Sequence, residues 1–203
     1  MEIDMMHPCN IFFDMDGVLV VYEEADYVPK APGAPKPYLG IPHYFAHLKP
    51  DEKAIRMFQF CAESGLHLDP PRYPTVLSSA FGEEPYFTET VADKRAWIRE
   101  HIGANAKLLA LFAKTGTQDA MDKVATAELE FGRPLCVTDI LIDDLNANLR
   151  SWKSAGGTAV KYLNGINSRT DEFPCLTTDE AGAAGALDML MQLDSILKQA
   201  CDR

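Results

Sequence analysis

The chain has 203 residues, 47% of them apolar and 24% charged, with a formal net charge of −11. That length suits one globular domain with a full-sized core, and the acidity counts against general binding to nucleic acid or anionic membranes, which needs basic surfaces. Five cysteines without ligand-like spacing fit reduced thiols in a cytoplasm, and neither a signal peptide nor an apolar stretch long enough to span a bilayer is read.

The first element is Ile11-Phe12-Phe13, a buried strand that stops at Asp14-Met15-Asp16-Gly17. Side chains two apart on an extended chain point the same way, so Asp14 and Asp16 aim into one space past the strand end. Two carboxylates held together repel unless a cation sits between them; Asp-x-Asp-Gly also suits a plain polar turn. Residues 20–48 are rich in proline and aromatics, including Tyr22, Tyr27, Tyr38, Tyr44 and Phe45, and read as a flap or small insertion. Pro50 opens a helix with Ala54, Ile55, Phe58, Cys61 and Ala62 on one face, closed by Gly65. A second strand at 74–77 ends at Ser78-Ser79. Thr90 and Asp93 resemble a capping box for a helix running through Trp97 to Ile102, on which Lys94 reads as a solvated surface cation. A strand is read at 107–112, a helix at 118–131, and a strand at 139–142 that stops at Asp143-Asp144. A helix at 146–155, a strand at 158–163 and a helix at 179–199 complete the chain.

Strands alternating with helices predict an α/β fold: a Rossmann-like parallel sheet of about five strands between helices, in one domain over 1–203 with a short insertion at about 20–48. In a parallel sheet the carboxyl ends share one edge, so Asp14, Asp16, Ser78, Ser79, Asp143 and Asp144 can converge. Asp143-Asp144 also suits a helix N-terminus, a role compatible with holding a metal. Asp139 begins its strand and belongs to the opposite edge. Trp97 and Trp152 read as core, and His7, His43, His47, His67 and His101 show no zinc-ligand spacing.

Phe13-Asp14-Met15-Asp16-Gly17-Val18, Val76-Leu77-Ser78-Ser79 and Ile140-Leu141-Ile142-Asp143-Asp144, in that order, resemble the motifs of the haloacid dehalogenase-like (HAD) superfamily of phosphohydrolases. Lys94-Arg95-Ala96-Trp97-Ile98 and Leu141-Ile142-Asp143-Asp144 look like segments of its 5'(3')-deoxyribonucleotidase branch. Asn148-Leu149-Arg150-Ser151-Trp152 with Ala155-Gly156-Gly157 looks like the bacterial and phage relatives. The resemblance implies Mg²⁺ held by Asp14, one or both of Asp143 and Asp144, and a backbone carbonyl near Asp16. It implies Asp14 as nucleophile forming an aspartyl-phosphate and Asp16 as general acid and then base. Ser78 would donate to a phosphate oxygen, with Ser79 a weaker candidate. It also requires one cation, for which Lys123 stands first, followed by Lys114 and Arg133.

The expected substrate is a small phosphorylated molecule, with (deoxy)nucleoside monophosphates as one class. Aromatics of the insertion could stack on a base or cover the sheet edge, and Lys30 and Lys36 could meet a second anion. Alternatives are a phosphatase of polynucleotide ends or phosphoproteins, or a non-catalytic regulator that binds metal or phosphate. Homo-oligomerisation is compatible with all of these.

Overall fold

The computed structural model describes residues 10–23, 25, 30–31, 36–65, 74–103, 110–165, 167, 172–180 and 182–201. The apolar run at the start forms β1 (Asn10–Phe13), followed by a two-residue strand β2 (Val20–Val21). Two single-turn 3-10 helices (Pro37–Gly40 and Tyr44–His47) lead to β3 (Lys49–Pro50), which pairs antiparallel with β2. There follow α1 (Glu52–Gly65), β4 (Thr75–Phe81), α2 (Tyr86–His101), β5 (Ala110–Thr115) and α3 (Lys123–Phe131). The chain then forms β6 (Asp139–Asp143), α4 (Asn146–Ser154), β7 (Thr158–Tyr162), β8 (Cys175–Leu176) and α5 (Gly182–Cys201).

The main sheet has six strands in the order β5-β4-β1-β6-β7-β8, every neighbouring pair parallel. The α/β architecture expected from the sequence is therefore present, with one strand more than the five read. β8 is only two residues long and follows Pro174, too short for a periodic signal; its pairing with Lys161 and Tyr162 defines it. Successive chain segments turn one way to build β4 and β5, then cross back to build β6, β7 and β8. The reversal lies between β1 and β6, the place where open parallel sheets leave a crevice at their carboxyl ends.

Pleating divides the core in two. Phe13, Ile140, Ile142, Val160 and Tyr162 face a layer containing Phe58 of α1, Trp97 of α2, and Met189 and Leu193 of α5. Their sequence neighbours Phe12, Leu141 and Ala159 face Ala127 of α3 and Leu149 and Trp152 of α4. Both tryptophans are fully buried and use their indole N–H groups, Trp97 to Leu48 O at 2.7 Å and Trp152 to Asp139 O at 2.9 Å. Apolar runs with no polar face are what a sheet covered on both sides requires.

Three boundaries differ from expectation for local reasons. β4 runs on through Ser78 and Ser79 to Phe81 because β5 offers backbone partners as far as Thr115. α2 begins at Tyr86, so Thr90 and Asp93 are buried interior positions and do not form a capping box. α3 begins at Lys123, where Asp122 caps it by accepting from Ala125 N at 2.9 Å. Residues 107–109 of the expected third strand, Tyr27, His7 and His67 lie outside the described residues.

The insertion is more ordered than a loose flap over its described part. Tyr38, Tyr44 and Phe45 are buried and pack on one another with ring centroids 5.1–5.7 Å apart. His43 Nδ1 lies 2.9 Å from Asp93 Oδ1 on α2. None of the described helices is long and apolar enough to cross a membrane.

At the amino edge of β6, Asp139 is fully buried and takes both guanidinium nitrogens of Arg133 at 2.6 and 2.8 Å, with Asn10 Nδ2 at 2.7 Å. Burial alone would raise this carboxyl; Arg133 and Asn10 outweigh it and hold it below its ordinary value. Removing the guanidinium strands a buried charge, so Arg133→Met should cost about 2 kcal/mol in a urea titration near neutral pH. Because a depressed acid stabilises above its unfolded value of 3.8, the deficit should shrink as pH falls below that value. An unchanged midpoint would show the staple to be idle.

Candidate active site

Asp14 follows β1, and Asp143 closes β6, its immediate neighbour in the sheet, so both carboxylates arrive at the crevice between those strands. Asp144 follows at once. One ligand atom from each of Asp14, Asp143 and Asp144 lies within 4.8 Å of the others, and all three residues are buried. Gly17 makes the turn after β1 with φ of +83°, and a side chain there would collide with the Asp144 carboxylate and Asn164. Only glycine gives both that backbone angle and that clearance.

Each acid has a distinct set of partners. Lys123 Nζ, almost wholly buried at the start of α3, bridges Asp14 Oδ1 at 2.8 Å and Asp143 Oδ2 at 2.6 Å. Asp14 Oδ1 also accepts the Met15 backbone N–H at 2.7 Å. Asp143 accepts Asn148 Nδ2 at 3.0 Å and the Leu145 N–H at 2.7 Å. Asp144 Oδ2 collects Asn167 Nδ2 at 2.7 Å, Asn164 Nδ2 at 2.8 Å and the Tyr22 hydroxyl at 3.3 Å. Behind this loop, buried Lys161 donates to the Asp144 carbonyl and, at 2.7 Å, to Asn146 Oδ1.

The other cations read as candidates are placed elsewhere. Lys114 is partly exposed and pairs with Asp119 at 2.6 Å, while Arg133 is committed to Asp139 at the opposite edge. Lys94 requires a correction. It is fully buried and donates to Asp16 Oδ2 at 2.6 Å, Ser78 Oγ at 2.8 Å and Ser79 O at 2.9 Å, with the Phe45 ring centroid 4.5 Å away. Its neighbours Thr90, Trp97 and Ile98 are buried on the same helix face. A lysine occupying a core position of an otherwise buried stripe is the signal that could have found it. Lys161, Asn148, Asn164 and Asn167 also escaped the sequence reading, the asparagines because isolated short amides carry no pattern.

Asp16 turns its side chain to Lys94, and the carboxylates that come together are those of Asp14, Asp143 and Asp144; the expected backbone carbonyl near Asp16 does not depend on where that side chain turns. Ser78 and Ser79 are consecutive strand residues and face opposite ways. Ser78 is wholly buried beneath Lys94, whereas Ser79 lines the open cleft, which reverses their expected order of access. That cleft has a volume of about 280 Å³ and is walled on one side by Asp14, Asp16 and Asp144. Tyr22, Tyr38, Phe45 and Phe81 make its apolar wall, and Lys36 and Asn148 add polar groups. Lys30, at an exposed position, is not among the residues lining it.

Electrostatics mark the site as incomplete without a cation. Burial pushes the Asp14 carboxyl well above 3.8; Lys123 opposes this, but Asp143, Asp16 and Asp144 add to the rise. Asp144 is pushed up to about 6 by burial and by Asp143, against the hydrogen bonds of Asn167 and Asn164. Among the described residues, four carboxylates crowd the strand ends and two ammonium groups contact them. An all-oxygen, acid-rich donor set with excess negative charge fits a hard divalent cation such as Mg²⁺.

Neither a family model nor a curated protein matches the chain. Solved structures do share its fold. D,D-heptose 1.7-bisphosphate phosphatase from B. bronchiseptica, complexed with magnesium and phosphate, is 11% identical with a TM-score of 0.55, over 92% of this chain and 99% of that one. A protein from Mesorhizobium loti named as a HAD-like phosphatase is 13% identical with a TM-score of 0.55, over 94% of this chain and 88% of that one. The six-stranded parallel sheet between helices is thus the Rossmann-like architecture seen in HAD-type proteins.

Proposed function

We propose that this chain is a phosphomonoester hydrolase of the HAD type, working through an aspartyl-phosphate on Asp14. The observation that carries the reading is the buried meeting of Asp14, Asp143 and Asp144 with Lys123 at the switch between β1 and β6. Phosphoryl transfer asks a protein chiefly to position groups and compensate charge, and this constellation does both. Likeness of fold to phosphatases, one of them holding magnesium and phosphate, supports the same reading.

In the proposed sequence an Asp14 oxygen attacks phosphorus while the ester P–O bond breaks, and the leaving oxygen takes a proton from Asp16. Water then attacks the phosphoryl group; Asp16 accepts its proton, phosphate departs and the Asp14 carboxylate is restored. Lys123 holds Asp14 and Asp143 together and balances their charge. Ser79, at the cleft wall, is placed to donate to a phosphate oxygen, and Ser78 to steady Lys94. Asp14, Asp143 and Asp144 would hold Mg²⁺, which when bound supplies positive charge to the phosphoryl oxygens.

Substrate choice is part of the proposal. Tyr22, Tyr38, Phe45 and Phe81 give the cleft an aromatic wall suited to a flat leaving group, and Lys36 a cation at the same cleft. Together with the nucleotidase-like segments of the sequence, these features favour nucleoside monophosphates among small phosphate esters. The net charge of −11 disfavours polynucleotide ends. A cytoplasmic setting agrees with Cys61 and Cys136, which form no disulfide among the described residues.

Asp14→Asn keeps the shape of the side chain and removes the nucleophile, so phosphate release from nucleotides and sugar phosphates should fall by at least about a thousandfold. Turnover equal to that of the parent protein would remove the mechanism.

The raised acids give a second expectation with a definite sign. Asp14 and Asp144 in the metal-free fold keep protons that the unfolded chain releases above 3.8, so their presence makes stability fall as pH rises through that window. A bound cation replaces those protons, so Mg²⁺ should raise the melting temperature more at about pH 8 than at about pH 5. An equal gain at both would show that Mg²⁺ does not engage these carboxyls.

A further inference from the structure

Lys94 has no part in the sequence of steps above, yet it is completely buried. An ammonium group has three hydrogens to donate. Here all three are spent, on Asp16 Oδ2 at 2.6 Å, Ser78 Oγ at 2.8 Å and Ser79 O at 2.9 Å. The Phe45 ring of the insertion packs over the ammonium, 4.5 Å from Nζ to centroid. Burying an amine in this way is costly unless its charge and hydrogens are matched, and here they are matched by groups from the β1 turn and β4.

The two oxygens of Asp16 are thereby made unequal. Oδ2 is fixed by Lys94, whereas Oδ1 is buried with no hydrogen-bond partner among the described residues. Asp16 itself lines the cleft together with Asp14, Ser79 and Phe45. A carboxyl group that must hand a proton to a leaving oxygen needs to be held in a defined direction. We infer that Lys94 is a positioning residue for the leaving-group step: it anchors Asp16 by Oδ2 at the cleft wall so that the Asp16 carboxyl keeps one orientation toward the departing ester oxygen as the P–O bond breaks and that oxygen takes its proton. The inference rests on the phosphatase reading above and adds to it the residue that aims the acid.

The test compares two esters of similar shape, phenyl phosphate and dinitrophenyl phosphate. Phenolate is a poor leaving group that needs the proton, and dinitrophenolate leaves without one. First-turnover release of each phenol in the presence of Mg²⁺ isolates this step from the later hydrolysis of the aspartyl-phosphate. Lys94→Met should slow phenol release by about a hundredfold, the scale of a lost general acid, and leave dinitrophenolate release within about threefold of the parent. In an Asp16→Asn background the same change should cost nothing further, because the two residues act as one unit. Lys94→Gln can still donate to Asp16 and should recover part of the phenol rate; it also serves where the Met variant fails to fold, which its melting temperature will reveal. Equal losses on the two esters, an additive loss in the double variant, or no loss at all would overturn the inference. Parent protein that releases neither phenol would instead defeat the phosphatase reading, and the role of Lys94 with it.

Discussion

Three largely buried carboxylates gathered at one sheet edge are the constraint to which the surrounding structure is fitted. Left to themselves these three carboxylates would repel, and Asp14 and Asp144 are pushed toward holding protons rather than charge. The fold answers with cations and dipoles drawn from several elements: Lys123 from α3, Lys161 from β7 behind the Asp144 carbonyl, and the amides of Asn148, Asn164 and Asn167. Lys94 from α2 does the same for the neighbouring Asp16. Apart from Asn148, five residues after Asp143, these groups stand well away in sequence from the acids they meet; the parallel sheet brings them there by ending its strands on one edge. What remains after this compensation is an excess of negative charge in a hard-oxygen environment, the condition that selects a divalent cation over a further side chain.

The legible parts of the sequence were those where two periodicities meet. Phe13 to Asp16 and Ile142 to Asp144 pass abruptly from apolar strand to acid, and such a break marks both the end of a buried strand and a place where charge is needed. Asp139 was separable from the pair it precedes because it stands at the other end of the same strand, where Arg133 meets it. Trp97 and Trp152 read as core as large apolar side chains within helices, and both are buried.

Other parts were hidden because they depend on partners remote in sequence. The reach of β4 past Ser79 is decided by β5, so a serine pair that reads as a turn becomes two strand residues on opposite faces. β8 exists through its pairing with β7 alone. Lys94 was misread because charge on a helix usually marks the solvent face, and a local pattern does not reveal that Asp16 and two strand residues of β4 wait beneath it. The asparagines around Asp143 and Asp144 are scattered through α4 and the stretch after β7, with no spacing to distinguish them from loop polarity.

The packing of α2 against residues 43–48 carries a consequence for how molecules enter. Asp93 grips His43, Lys94 sits beneath Phe45, and Trp97 ties the carbonyl of Leu48, so neighbouring turns of one stiff rod fasten this strap along its length. Lifting it would bare a charged amine and an indole to solvent. On the proposed reading, the doorway beside the acids is braced by this packing, and the departing portion of a substrate would meet the aromatic wall and the strand ends there.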